Sequence, residues 1–159
     1  MKFSAQEEYG IRCLIRISKY YDSGKALTIP QLSREEKISE HNVAKLLRAL
    51  RLGGFLESER GQIGGYTLSR PPEQIVVADV LASLGGRLYD EEFCTVHSGI
   101  TSICTNSVDC SVRSLWQVIQ LAIDKVLTNL TLRDLLGKED ELFMKLNNQI
   151  ADVKSVHKN

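Results

Sequence analysis

Several things are missing from this chain of 159 residues, and each absence removes a class of protein. It has no net charge, because its Lys and Arg balance its Asp and Glu. It is therefore not a bulk polycation that coats nucleic acid indiscriminately, and any affinity for DNA has to come from a local patch. No charged start followed by an apolar stretch and a small-residue cleavage site is present, and no apolar run is long enough to cross a bilayer; both point to the cytoplasm. Cysteine is scarce, with four residues at Cys13, Cys94, Cys104 and Cys110. In a reducing compartment these are poor candidates for structural disulfides. No glycine loop follows a strand and opens a helix as phosphate binding would require, and no cysteine is placed beside a histidine in a catalytic arrangement, so an enzyme is not expected. There is no internal repeat and no low-complexity segment. What remains is ordinary single-domain length with 43% hydrophobic residues, enough for a core without covalent staples.

The first half has a helical period. Tyr9, Ile11, Leu14, Ile15, Ile17 and Tyr21 recur with Glu7, Glu8, Arg12, Arg16 and Lys19 interleaved, which predicts an amphipathic helix over 5–22 that starts at Ser4. Pro30 suits the first turn of a short second helix over 30–36, with Thr28 as its cap. Lys37 and Ile38 turn the chain. Ser39 then opens a third helix, through Leu46, Leu47 and Leu50, that stops at Gly53-Gly54. Two helices joined so tightly form a helix-turn-helix. Beyond Gly54 the pattern becomes short β-like strips over 55–59 and 66–68 with glycines between them, a hairpin whose tip can approach another surface closely. A helix-turn-helix followed at once by such a hairpin is a winged helix. Ile75 to Leu84 reads as a short helix ended by Gly85-Gly86.

The second half differs. Residues 89–109 are polar and aperiodic. From Ser111 to Leu136 the apolar residues, Leu115, Trp116, Val118, Ile119, Leu121, Leu130, Leu132 and Leu135 among them, predict one long helix, with a break near Thr131 as a variant. A helix with so broad an apolar face usually has a partner beyond its own domain. The fold class expected is mainly α with a small β-hairpin. Residues 1–84 form a winged helix-turn-helix domain, 85–110 a cysteine-bearing sensor loop, 111–136 a dimerisation helix and 137–159 a C-terminal helix or tail.

A recognition helix lays its exposed N-terminal residues on base edges in the major groove. Here these are Ser39, Glu40, His41, Asn42 and Lys45. Asn can pair bidentately with adenine, Lys and His can donate to guanine acceptors, and Ser or Lys can serve phosphate. Between Lys37 and Arg70 stand six basic side chains (Lys37, Lys45, Arg48, Arg51, Arg60 and Arg70) against three acids (Glu40, Glu57 and Glu59), the local patch a neutral protein needs. Arg60, just ahead of the glycine run, is the candidate for a wing contact, since a planar guanidinium enters a narrow minor groove or clasps phosphates. Double-stranded DNA is thus the expected partner.

Cys94 and Cys104 lie in the polar segment and Cys110 at its edge, so the three cluster. Thiolates suit iron–sulfur clusters and zinc alike, and three of them leave one coordination position to an oxygen, a nitrogen or an external ligand. The same residues also read as unligated thiols or as a pair that forms a redox disulfide. Cys13, between Arg12 and Leu14 on the first helix, reads as a small core residue.

Met1-Lys2-Phe3-Ser4 leading into Tyr9-Gly10, Leu47-Arg48-Ala49-Leu50-Arg51 with Gly53-Gly54-Phe55-Leu56, and above all Arg60-Gly61-Gln62-Ile63-Gly64-Gly65-Tyr66-Thr67-Leu68 resemble the IscR, NsrR and CymR family of winged-helix transcriptional regulators. The resemblance implies a homodimer built on the long helix and a partly palindromic operator. In the cluster-bearing branch it implies a redox-, iron- or nitric oxide-sensing iron–sulfur centre (2Fe-2S or 4Fe-4S) held by Cys94, Cys104 and Cys110. Nine residues separate Cys94 from Cys104, wider than the IscR pattern, whereas the five before Cys110 match it. The IscR-like histidine three residues after the last cysteine is here Arg113, which cannot ligate iron. The fourth ligand then comes from elsewhere: Glu8, where NsrR-like members place an acid that reaches across the dimer, with His97 as the local alternative. CymR-like members keep a cluster-free regulator controlled by thiols, zinc or a protein partner as the alternative.

Overall fold

The computed structural model describes residues 4–59, 61, 64–90, 92–100 and 103–155. They fall into two compact units, one made of the chain up to Gly86 together with everything from Val126 onward, the other of Arg87–Lys125.

The first unit opens with three helices, α1 (Ala5–Ser18), α2 (Ile29–Glu36) and α3 (Glu40–Leu52). Their starts are set by side chains that take up the orphan N–H groups of a first turn. Ser4 and Glu7 form a reciprocal capping box on α1, Thr28 and Gln31 form another on α2, and the Ser39 hydroxyl accepts the Asn42 N–H on α3. The predicted first helix ends earlier than Asp22, because the α-type hydrogen bonds stop after the Lys19 N–H and the chain turns through Tyr20 to Gly24. The α2–α3 turn is sharp: Lys37 adopts a left-handed conformation (φ 58°), and the Ser33 hydroxyl donates to the Ile38 carbonyl at 2.6 Å.

Two carboxylates fasten α2 to α1: Glu35 pairs with Arg16 Nε at 3.3 Å, and Glu36 bridges two arginines. Glu36, 8% exposed, accepts from Arg12 Nε at 3.1 Å and Arg16 Nε at 2.7 Å, while Arg12 Nη2 also donates to the Glu36 carbonyl. Beneath this clasp Cys13, Leu14 and Ile17 of α1 pack with Leu32, Val43, Leu47 and Leu50 in a single apolar core. Gly10 lets α4 (Val77–Ser83) and the residue after it come close: a Cβ there would stand 2.6 Å from Leu84 Cδ1.

The wing consists of antiparallel β1 (Leu56–Glu59) and β2 (Gly65–Leu68), in register Leu56 to Leu68 and Glu59 to Gly65. Its root is tied to the segment before α2. Leu27 and Tyr66 exchange both backbone hydrogen bonds, at 3.1 and 2.9 Å. Gly65 is needed at this approach, since a Cβ would lie 2.9 Å from the Leu27 carbonyl oxygen.

The long helix is shorter than predicted. Helix α6 (Ser111–Leu127) stops nine residues before Leu136, and the leucines that continued its period serve a different purpose. Val77 N–H donates to the Leu130 carbonyl and Leu132 N–H to the Ile75 carbonyl, so this segment pairs edge to edge with the start of α4. Leu132, 1% exposed, enters the winged-helix core. Asp134 fixes the turn by accepting from Thr131 N–H (2.9 Å) and the Thr131 hydroxyl (3.0 Å), and Lys145 of α7 (Glu139–Ser155) adds an ion pair at 2.7 Å. Burial alone pushes the Asp134 carboxyl up; the bonds from Lys145 and Thr131 outweigh it and hold the group below its ordinary value.

In the second unit, α5 (Phe93–Val96) is a single turn and α6 is the frame. Gln120 is 5% exposed, and its Oε1 accepts the N–H groups of both Leu88 (2.8 Å) and Tyr89 (3.2 Å). Its Nε2 donates to Asp124, which is paired with Arg87 at 2.9 Å. The entry to the cysteine-bearing segment is therefore pinned to α6 by a buried polar group whose hydrogen-bonding needs are met.

Candidate DNA-reading face and thiol cavity

The two faces of α3 divide cleanly. Val43, Leu46, Leu47 and Leu50 are buried, whereas His41, Asn42, Lys45 and Arg48 are exposed, as is Ser39 at the cap. Among the described residues the side chains of His41, Asn42, Lys45 and Arg48 make no hydrogen bond or ion pair, so their donors are available to another molecule. Arg70, counted with the basic patch from sequence, has a structural task instead. Its Nη1 donates to the Gly54 carbonyl at 2.9 Å and its Nε to the Gln74 carbonyl at 3.2 Å, with the guanidinium 5.2 Å from the Phe55 ring centroid. Arg60, the wing candidate, lies outside the described residues.

In the second unit Cys94, Cys104 and Cys110 line one cavity of about 210 Å³ together with Arg113 and Ser107. All three thiols are free and half-buried. Each is placed by a different device. Cys94 sits on the single turn of α5, whose Phe93 ring packs on Tyr89 with centroids 5.4 Å apart. Cys104 opens a turn closed by the Ser107 N–H on the Cys104 carbonyl at 3.1 Å. Cys110 immediately precedes α6, and its Sγ accepts the Arg113 N–H at 3.3 Å in the position of a helix cap. Among the described residues no three His, Cys, Asp or Glu side chains close to the range of a single metal ion. The chemistry of the cavity is that of three soft thiolate donors sharing one space, which fits a sulfur-ligated centre.

The two candidates for a fourth ligand are placed differently. His97 is exposed at the end of α5, its ring stacked on Phe93 at 4.2 Å and its Nδ1 2.8 Å from the Phe93 carbonyl oxygen, and it is not part of the cavity lining. Glu8 belongs to the first unit, exposed on α1, and its carboxylate has no hydrogen bond or ion pair among the described residues.

Cys13 is set apart from the other three. It is fully buried, and burial first, then the neighbouring Glu36 charge, push its thiol up to about 11 against the opposing pull of Arg12. It stays protonated and inert at neutral pH. Titrating the native, metal-free protein with a thiol-specific reagent is expected to count three reactive cysteines promptly and a fourth only on unfolding. Four prompt equivalents would remove Cys13 from the core.

The family model described as "Iron-dependent Transcriptional regulator", that of Rrf2, matches residues 3–138. The chain belongs to the Rrf2 family. It is 30% identical over 137 residues to the protein rrf2 of Nitratidesulfovibrio vulgaris, covering 86% of this chain and 87% of that one. It is 29% identical over 140 residues to the transcriptional regulator CymR of Bacillus subtilis, covering 88% and 93%. Among solved structures it is similar to T. potens IscR, with a TM-score of 0.65 and 28% identity over 86% of each chain. It is also similar to CymR of B. subtilis, described as a global cysteine regulator, with a TM-score of 0.63, 27% identity and coverage of 86% and 96%. The winged-helix fold read from sequence is thus the fold of its relatives, and an Rrf2-family member of this kind is a DNA-binding transcriptional regulator rather than an enzyme. Regulators of this family act as dimers. Among the described residues no helix is long and apolar enough to cross a membrane.

Sequence reasoning found the three cysteines and the exposed face of α3, named Arg113 only as a residue that cannot ligate iron, and missed Gln120 and Tyr89. Gln120 carried a weak signal, as one of two amides, with Gln117, in an apolar run.

Proposed function

We propose that this chain is a homodimeric, operator-binding regulator in which Ser39, His41, Asn42, Lys45 and Arg48 contact DNA and Cys94, Cys104 and Cys110 hold an iron–sulfur cluster. The observation that carries the reading is the convergence of three free thiols on one cavity in an Rrf2-family chain. When bound, such a cluster supplies reversible redox chemistry and lability toward oxidants and nitric oxide. A cluster spreads its protein ligands over two or more irons, so it demands less mutual closeness of the three sulfurs than one zinc ion does. The Arg113 N–H already aimed at the Cys110 sulfur suits a thiolate there. Glu8, supplied across the dimer, completes the set, and its free carboxylate on α1 is compatible with that role. Arg60 adds the wing contact. Dimerisation is supported by α6, where Val112, Leu115, Val118 and Leu121 are each more than half exposed, an apolar stripe suited to the same helix of a second copy.

A second reading, thiol oxidation without a cluster, is favoured by the same three free thiols and by similarity to Staphylococcus aureus CymR, whose oxidised form has been solved (26% identity, TM-score 0.63). Anaerobic purification followed by a visible spectrum with iron and sulfide analysis separates the two. A brown protein carrying both elements is expected; one that stays colourless after reconstitution with iron and sulfide transfers the sensing role to the thiols. For the DNA-reading face, Asn42→Ala and Lys45→Ala are each expected to cost about 1–3 kcal/mol of affinity for an operator selected from a random-sequence pool, with folding unchanged. Unaltered binding by both would show that α3 does not read DNA.

A further inference from the structure

The stretch from Cys104 to Asp109 has almost nothing to hold it. Its residues are exposed apart from Cys104 itself, and Val108 is 98% exposed. Among the described residues two hydrogen bonds fix it: the Ser107 N–H on the Cys104 carbonyl, and Arg113 Nη2 on the Ser107 carbonyl at 2.8 Å. The first closes the turn that carries Cys104. The second joins that turn to the first turn of α6, where the backbone N–H of the same Arg113 meets Cys110 Sγ. Arg113 thus holds the loop between two of the thiols at two points, with its side chain on Ser107 midway along it and its backbone on Cys110 at its end. Arg113 lines the cavity the thiols share, yet a guanidinium has no lone pair with which to ligate a metal.

We infer that Arg113 is a positioning residue, a latch that holds the Cys104 turn against the N-terminus of α6 and so sets the Cys104 and Cys110 sulfurs for joint ligation. A single charge-assisted bond is enough because the loop is short and otherwise unsupported, and because a group that orients ligands typically governs site affinity by 10–100-fold without touching the metal. The role in ligation rests on the cluster reading above; the latch itself does not. Replacing Arg113 by alanine removes the guanidinium and keeps both the N–H on Cys110 Sγ and the helix start, so it isolates the latch.

The test uses the full-length protein, Arg113→Ala and Arg113→Lys. In the metal-free state, exchange of the Ser107 amide, the one amide of Cys104–Asp109 in a hydrogen bond among the described residues, is expected to quicken about five- to tenfold in Arg113→Ala, with the winged-helix amides unchanged and Arg113→Lys nearer to wild type. Equal protection in all three proteins overturns the latch. After reconstitution with ferrous iron and sulfide, the visible absorption of Arg113→Ala is expected to bleach in excess EDTA about 10–100-fold faster than wild type, with lysine restoring most of the lifetime. A quickened loop with an unchanged bleaching rate overturns the positioning role while leaving the latch. A wild-type protein that takes up no iron or sulfide overturns the cluster reading, and the exchange data alone then decide the latch.

Discussion

Leu132→Ala is expected to lower unfolding stability by about 2–5 kcal/mol, the range for removing a fully buried leucine from a packed core. Leu132 is 1% exposed and packs in the winged-helix core, although it lies far along the chain from the helices that make most of that core. Its N–H to Ile75 and the neighbouring Val77 N–H to Leu130 hold the backbone in place, so the cavity cannot collapse easily and the upper part of the range applies. Against a typical total of about 5–15 kcal/mol this is a large fraction. Urea unfolding should show a lowered midpoint with little change in slope, and the Leu132 and Val77 amides should lose exchange protection first. A midpoint shift worth less than about 1 kcal/mol would mean that the return segment is not part of the core.

The second large effect is expected at Glu36. Removing a carboxylate that bridges two arginines leaves Arg12 without its carboxylate partner and Arg16 with Glu35 alone, 3.3 Å from its Nε; breaking such a pair costs about 3–5 kcal/mol when it is wholly buried. The Arg12 and Arg16 side chains are 38% and 30% exposed, so water can re-solvate them, and about 2 kcal/mol is the better figure for Glu36→Ala. The loss falls at a sensitive place. Glu36 is the last residue of α2, next to left-handed Lys37, and it fixes where the turn into the recognition helix begins. Operator affinity measured well below the melting temperature should therefore fall as well. A variant with wild-type affinity and wild-type stability would show that the clasp does not set the helix-turn-helix geometry.

The sequence made the winged helix readable because its boundaries are chemical. Ser4, Thr28 and Ser39 cap three helices and Gly53-Gly54 ends the third, each acting within one turn of its own position. The end of α6 is not of that kind. Leu130, Leu132 and Leu135 sustain a helical period, with no proline or glycine before Gly137 to interrupt it. What breaks the helix is distant, a pairing with Ile75–Val77 that rewards an extended backbone. The one local hint was Thr131 followed three residues later by Asp134, the spacing of a helix start. At the candidate site the three cysteines stood out as the only such group in a polar, aperiodic segment. The residues that place them did not, because Arg113 and Gln120 act through backbone carbonyls and N–H groups that no residue pattern specifies.

The isolation of Cys13 in the core fixes the arithmetic of oxidation. With one of four thiols sealed away, three remain reachable, and three is odd. An internal disulfide uses two of them and gives up two electrons and two protons to an oxidant; the last sulfur has no mate within its own chain. Complete oxidation of a folded protomer cannot then be a private event: it ends either with a sulfur bearing oxygen or with a bond to a second molecule, and in a dimer the nearest second molecule is its twin.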